Sequence, residues 1–131
     1  MILTMNLIVH TERLTIVRLN PDAPIPAWAV GSFLSMTRTE RELSIVCREE
    51  LVPADLNCSR SWRRLSVEGV LNFSLTGILA SLTGPLAAAG IPIFAISTYE
   101  TDHLLVKDEQ LDAVVAVLSA AGHRMIIPEE K

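Results

Sequence analysis

The chain has 131 residues, half of them hydrophobic, with a formal net charge of -4, a mean hydropathy of +0.38 and a sequence pI of about 5.3. That length holds one compact domain or two small halves. An acidic chain lacks the clustered Lys and Arg field that phosphate backbones require, which argues against nucleic acid. No membrane span is expected, because the longest uncharged run, residues 69–99, is broken by Asn, Ser and Thr and by Gly84-Pro85, Gly90 and Pro92.

The apolar surplus predicts subunit contact, most simply a homodimer, because large exposed apolar patches mark interfaces. The one basic cluster, Arg60, Arg63 and Arg64, reads as a solvated strand face. Two cysteines, Cys47 and Cys58, do not make a disulfide framework, and reduced thiols fit a cytoplasmic protein. The opening MILTMNLIVHTER has no basic leader and no small-residue cleavage site, so a signal peptide is not expected.

In chain order, Met5–Val9 and Leu14–Leu19 predict two short strands, with the polar residues His10 to Arg13 as a hairpin turn. The segment NPDAPIP from Asn20 cannot be a central strand. A helical turn is expected at Ala27–Val30, ended by Gly31. Ser32–Thr37 and Leu43–Cys47 predict two more strands around the charged turn Arg38–Glu42. Glu49–Ser61 is the expected boundary, and Trp62–Gly69 alternates as a strand.

Thr76–Ala89 predicts a helix. Ile78, Leu79, Leu82 and Leu86 share one face, with Leu79 and Leu82 toward a sheet. Thr76 is the expected N-cap and Gly90 the stop. Pro85 conflicts with a regular helix, because it removes one backbone hydrogen bond, so a kink is expected. Ile91–Thr98 and His103–Val106 predict strands about the turn Tyr99–Asp102. Glu109–Ala121 predicts a helix with Leu111, Val114, Val115 and Leu118 on one face, and Arg124–Ile127 a closing strand. From Trp62 the order is β-α-β-β-α-β, the ferredoxin-like plan of an antiparallel sheet with both helices on one side.

The first half resembles the second. Shifted by 60 residues, Phe33–Leu51 lies on Ile93–Leu111 with four identities: Glu40/Glu100, Val46/Val106, Glu49/Glu109 and Leu51/Leu111. The signal is weak alone, but it coincides with matching strand-turn-strand predictions. The expected organisation is therefore an α+β chain of two ferredoxin-like halves, 1–58 and 59–131, the first with degenerate helices.

No catalytic constellation is present. His10, His103 and His123 are scattered, and HExxH, CxxC, GxSxG and Gly-rich phosphate loops are all missing. Cys47 ends an apolar strand and reads as a small core residue. No metal, cofactor or chemistry is expected.

Two segments suit a ligand. In VEGVLNFSLTGILASL a strand and short loop lead to Thr76-Gly77 at a helix start. Its unpaired amides carry partial positive charge, and Gly77 allows a carboxylate to approach. Close helix–strand packing is the plain alternative for Gly77. In ISTYETDHLLV, Ser97, Thr98, Tyr99, Thr101 and Asp102 gather at a turn. Hydroxyls there can orient a polar ligand, Tyr99 can cover it, and Asp102 can pair with a cation. An ordinary polar β-turn is the plain alternative.

At these residues the chain resembles a known family. FSLTGILASLTGPLAAAGIPIFAISTYETDHLLV is similar to the second half of the CASTOR-like group of ACT domains. That group includes cytosolic arginine sensors and is related to the regulatory domains of aspartokinase. The segments LNPDAPIPAW and FLSMTRTERELSIVC, and the acidic pair before Val52-Pro53, extend the resemblance over nearly the whole chain. It implies two ACT-like halves, no enzymatic activity and an amino acid or similar small ligand between ACT units, most simply across a homodimer. It implies Gly77, Ile78, Thr98, Tyr99 and Asp102 as ligand-binding residues. Two departures matter: Leu75 stands where an arginine sensor has an acidic residue, and Thr101 where it has an aromatic. Both argue against strong arginine binding, toward a smaller or less basic amino acid, or toward a ligand-free interaction module of the same fold.

Overall fold

The computed structural model describes residues 4–69 and 77–128. Strand β1 spans Asn6–Leu19 without a break, which corrects the expected hairpin of Met5–Val9 and Leu14–Leu19. The residues His10 to Arg13 include no Gly, Pro or Asn to reverse the chain. The two ends of the strand also find different partners. Asn6–Ile8 pair in parallel with β7 (Arg124–Ile126), whereas Leu14–Leu19 pair antiparallel with β3 (Leu43–Arg48). Two compact units result, Glu12–Trp62 and Met1–Thr11 with Arg63–Lys131. Strand β1 and strand β4 (Ser59–Val67) each supply residues to both.

In the unit Glu12–Trp62 the strand order is β2-β3-β1-β4, where β2 is Ser35–Arg38. The charged turn is as the sequence predicts, closed by Thr39 N–H on the Glu42 carbonyl at 2.9 Å. Val17, Leu43, Ile45, Cys47 and Val52 make its core, with Ala29 delivered by the proline-rich segment. The expected helical turn at 27–30 is a single turn closed by Ala29 N–H on the Pro26 carbonyl. The Arg38 guanidinium holds that segment through the carbonyls of Pro21 and Ala23. Among the described residues of this unit, the helical structure is one 3-10 turn, Glu49–Leu51, in keeping with degenerate helices.

In the other unit the elements after β4 are α1 (Ile78–Ala88), β5 (Phe94–Ser97), β6 (Asp102–Lys107), a 3-10 turn at Asp108–Gln110, α2 (Leu111–Ala120) and β7. This is the β-α-β-β-α-β order read from the sequence. The strand order is β7-β1-β4-β6-β5. The closing strand thus pairs in parallel with β1, so the sheet is antiparallel except at that one ladder. Leu7, Val9, Leu65, Val67, Leu104 and Val106 line one sheet face and pack with Leu82, Leu86, Val114 and Leu118 from the helices. Period-2 alternation sends Arg64, Ser66 and His103 to the opposite face.

Pro85 lies inside α1 and has no N–H to give the Ser81 carbonyl. His123 supplies the missing donor, its Nε2 lying 3.0 Å from Ser81 O. Its Nδ1 accepts the Met5 N–H at 3.1 Å. One buried imidazole therefore satisfies a helix carbonyl and a strand amide at once, and the acceptor role of Nδ1 puts the proton on Nε2. The helix ends at Gly90, whose φ of 74° favours glycine. Ile91 N–H then bonds the Leu86 carbonyl at 2.9 Å.

Candidate functional site

The described parts of the two segments picked out by the sequence are the end of β4 with the start of α1, and the turn between β5 and β6. Gly77 is the N-cap residue of α1 with φ 79° and ψ 3°. That left-handed conformation by itself demands glycine. Ile78 follows it and is buried, 8% exposed, so it anchors the helix start in the core. Thr76, the expected N-cap hydroxyl, and Leu75 lie outside the described residues.

The turn is closed by Thr98 N–H and Thr98 Oγ1, both donating to the Thr101 carbonyl at 2.9 and 3.0 Å. Tyr99 is 81% exposed at its tip. Asp102 begins β6, and its Oδ1 accepts from Ser97 Oγ at 2.7 Å across the register pair Ser97↔Asp102. A carboxylate has about four lone-pair sites, so this bond leaves it capacity for a cation. Thr101 Oγ1 donates to the Val67 carbonyl at 2.9 Å. The turn is thereby tied to the last residue of β4, the strand from which the chain departs toward Gly77. Among the described residues, no hydrogen bond or ion pair joins Gly77 or Ile78 to Thr98 or Asp102.

The face of the sheet away from the helices carries groups that the sequence left scattered. His10 Nε2 lies 2.7 Å from Ser66 Oγ, and Arg64 Nη1 donates to His103 Nδ1 at 3.2 Å. Burial pushes the His103 imidazole down to about 4. Arg64 and His10 push the same way, and Asp102 opposes them. A neutral His103 is what an Arg donor at Nδ1 requires.

The three arginines are not a simple solvated face. Arg60 donates to the carbonyls of Pro53 and Leu56 at 2.7 and 3.1 Å. Arg63 bonds the His10 carbonyl and pairs with Asp108 at 3.1 Å, its side chain only 14% exposed. These partners come from loops and neighbouring strands, which a one-dimensional charge run does not reveal. Cys47 is fully buried, and burial raises its thiol above the usual range. No group of three or more His, Cys, Asp or Glu that could hold a metal occurs among the described residues.

A family model described as an ACT domain matches residues 57–120, and a second, described as an N-terminal domain, matches residues 12–55. The cytosolic arginine sensor for mTORC1 subunit 1 of Homo sapiens is 37% identical over 95 residues. That alignment takes 66% of this chain and 29% of the sensor, so the chain spans under a third of the sensor's length. A crystal structure of a protein from Agrobacterium tumefaciens shares 37% identity at a TM-score of 0.92, over 98% of this chain and 96% of that one. The regulatory subunit of aspartate kinase from Thermus thermophilus shares the fold, with a TM-score of 0.63 at 13% identity, over 92% of this chain and 99% of that one. With a β-α-β-β-α-β unit preceded by an N-terminal domain, the chain belongs to the ACT-domain family, is related to the cytosolic arginine sensors and shares the fold of the regulatory subunit of aspartate kinase.

Proposed function

We propose that the chain is a regulatory binding module for a small α-amino acid, without chemistry of its own. In this reading Gly77 and Ile78 receive the ligand carboxylate at the start of α1. Thr98 and Tyr99 orient and cover it, and Asp102 takes its positive group. The observation that carries the reading is the bond from Thr101 Oγ1 to the Val67 carbonyl, which ties the Asp102 turn to the last residue of β4, ten residues before Gly77 in the sequence. Partial positive charge at a helix start and one carboxylate at the turn make a dipolar site suited to a zwitterion. Leu75 and Thr101 favour a ligand less basic than arginine. The curated relatives named as arginine sensors are also named as cytosolic, and the same compartment is proposed for this chain.

The ligand is expected between ACT units, most simply across a homodimer, where binding stabilises one arrangement of the pair. The halves 1–58 and 59–131 are likewise proposed as the two ACT-like repeats, supported by the identities at a 60-residue shift. Calorimetry against the twenty amino acids tests the reading. Asp102→Asn keeps shape and removes charge, and is expected to weaken the bound amino acid by about ten-fold or more. Unchanged affinity in Asp102→Asn removes the charge argument. A second reading, a ligand-free interaction module, draws on the exposed Ile25, Val30, Leu34 and Met36. It takes over if no amino acid binds.

A further inference from the structure

Away from the Gly77 and Asp102 segments, the ACT unit holds a separate cavity of about 390 Å³. It is lined by Val9 and Thr11 of β1, Arg63 of β4, the first turns of α2, and Ile127-Pro128 after β7. Most of the wall is aliphatic, including Val9, Leu111, Val115 and Ile127. The volume lies within the range of roughly 300–1,000 Å³ typical of small-molecule pockets. Thr101 is bonded at the Val67 end of β4, whereas this cavity adjoins Arg63, four residues back along that strand.

Among the described residues, two charged side chains line the cavity, Arg63 and Asp112, one of each sign. Arg63 is held rigidly. Its Nε and Nη2 donate to the His10 carbonyl at 3.2 and 2.9 Å, and its Nη1 donates to Asp108 at 3.1 Å. A guanidinium has five N–H donors, so among the described residues these three bonds leave two unused. The fork is already fixed and mostly shielded from water, which strengthens a further charge-assisted bond and lowers its entropic cost. Asp112 stands exposed in the first turn of α2 and makes no hydrogen bond or ion pair among the described residues. A plain carboxylate would meet Arg63 and be repelled by Asp112, and a plain amine would meet the reverse. A zwitterion satisfies both.

We infer that this cavity is a second ligand site, for an α-amino acid with a branched aliphatic side chain. The carboxylate bonds the two remaining Arg63 donors, the ammonium faces Asp112, and the side chain lies against Val9, Leu111, Val115 and Ile127. The inference stands independently of the Gly77 and Asp102 reading, because no residue is shared.

The test is methyl NMR on the full chain, titrated with L-leucine, 4-methylpentanoate and isopentylamine. Leucine is expected to shift the methyl signals of Val9, Leu111, Val115 and Ile127 in a saturable way. The two single-ended analogues are expected to bind about ten-fold more weakly or worse, the scale of one lost charge-assisted bond. Arg63→Gln is expected to weaken leucine by a similar factor. If Arg63→Gln does not fold, Thr11→Trp, at an exposed rim position, serves in its place and is expected to abolish the shifts. Asp102→Asn is expected to leave them unchanged, which separates this site from the one proposed above. Failure of leucine to shift these methyls overturns the inference. So does either analogue binding as tightly as leucine, or a leucine response that survives Thr11→Trp.

Discussion

His103 faces Arg64 and feels His10 and Asp102, and burial holds it largely neutral, with its titration pushed down to about 4. In the unfolded chain the same imidazole titrates near its ordinary value of about 6.5. The folded value is the lower one, so between these limits the unfolded state binds more protons and stability falls as pH falls. The contribution is intact above about 6.5 and is lost progressively on going down through about 4. Urea unfolding of wild type and His103→Gln at pH 7 and pH 5 checks this: the variant is expected to lose less stability over that interval. An equal loss in both proteins means that His103 does not titrate as its surroundings imply. The sequence showed a histidine at this position. It could not show Arg64 opposite it, because that pairing exists only once β4 and β6 are neighbours.

At the scale of elements, α1 was legible from the spacing of Ile78, Leu82 and Leu86, all three of which are buried. Leu82 and Leu86 are fully enclosed, and each such side chain contributes about 1.5–3 kcal/mol relative to exposure. What resisted reading was Pro85 in the same helix. The answer lies 38 residues downstream, in the bond between His123 Nε2 and the Ser81 carbonyl that Pro85 leaves open. His123→Ala is expected to destabilise the protein by roughly 1–3 kcal/mol for each of the two groups it orphans, Ser81 O and Met5 N–H. In a Pro85→Ala background the helix regains its own donor, so His123→Ala is expected to cost less there. A double-mutant cycle by urea unfolding measures that coupling, expected to be about 0.5–3 kcal/mol. Additive costs would show that His123 and Pro85 do not compensate one another.

For β1 the local pattern gave the wrong element. His10 to Arg13 are polar enough to suggest a turn, yet they continue a 14-residue strand. Polarity permits a turn without enforcing one, and the strand's two ends are fixed by β7 and β3, both distant in sequence.

At the scale of the whole molecule, the expectation of self-association rests on apolar surface. Ile25, Val30, Leu34 and Met36 are all exposed and lie within a short stretch ending in β2. β2 stands at the end of the strand order in its unit, and such an edge offers unpaired backbone groups to another strand. Light scattering of the wild type at micromolar concentration is expected to give a dimer or larger symmetric form. Met36→Lys, which places a charge on that edge, is expected to shift the population toward monomer. A wild-type monomer refutes the expectation, and a Met36→Lys protein of unchanged mass places the interface elsewhere.

The sequence by itself determined the class and order of the elements from Trp62 onward, the face that each helix buries and the strand-turn-strand at 35–48. These follow from periodicity and turn chemistry, which act over a few residues and leave their mark on adjacent positions. It also supplied, through the family resemblance, the proposed ligand residues Gly77, Ile78, Thr98, Tyr99 and Asp102, which lie at a helix start and a tight turn. Tertiary structure alone decided that β1 is one strand, that β7 closes in parallel beside it, that His123 completes the proline-bearing helix and that Arg63 is locked beside a cavity. Each of these joins residues far apart along the chain, and their pairing becomes defined only when packing brings the elements together.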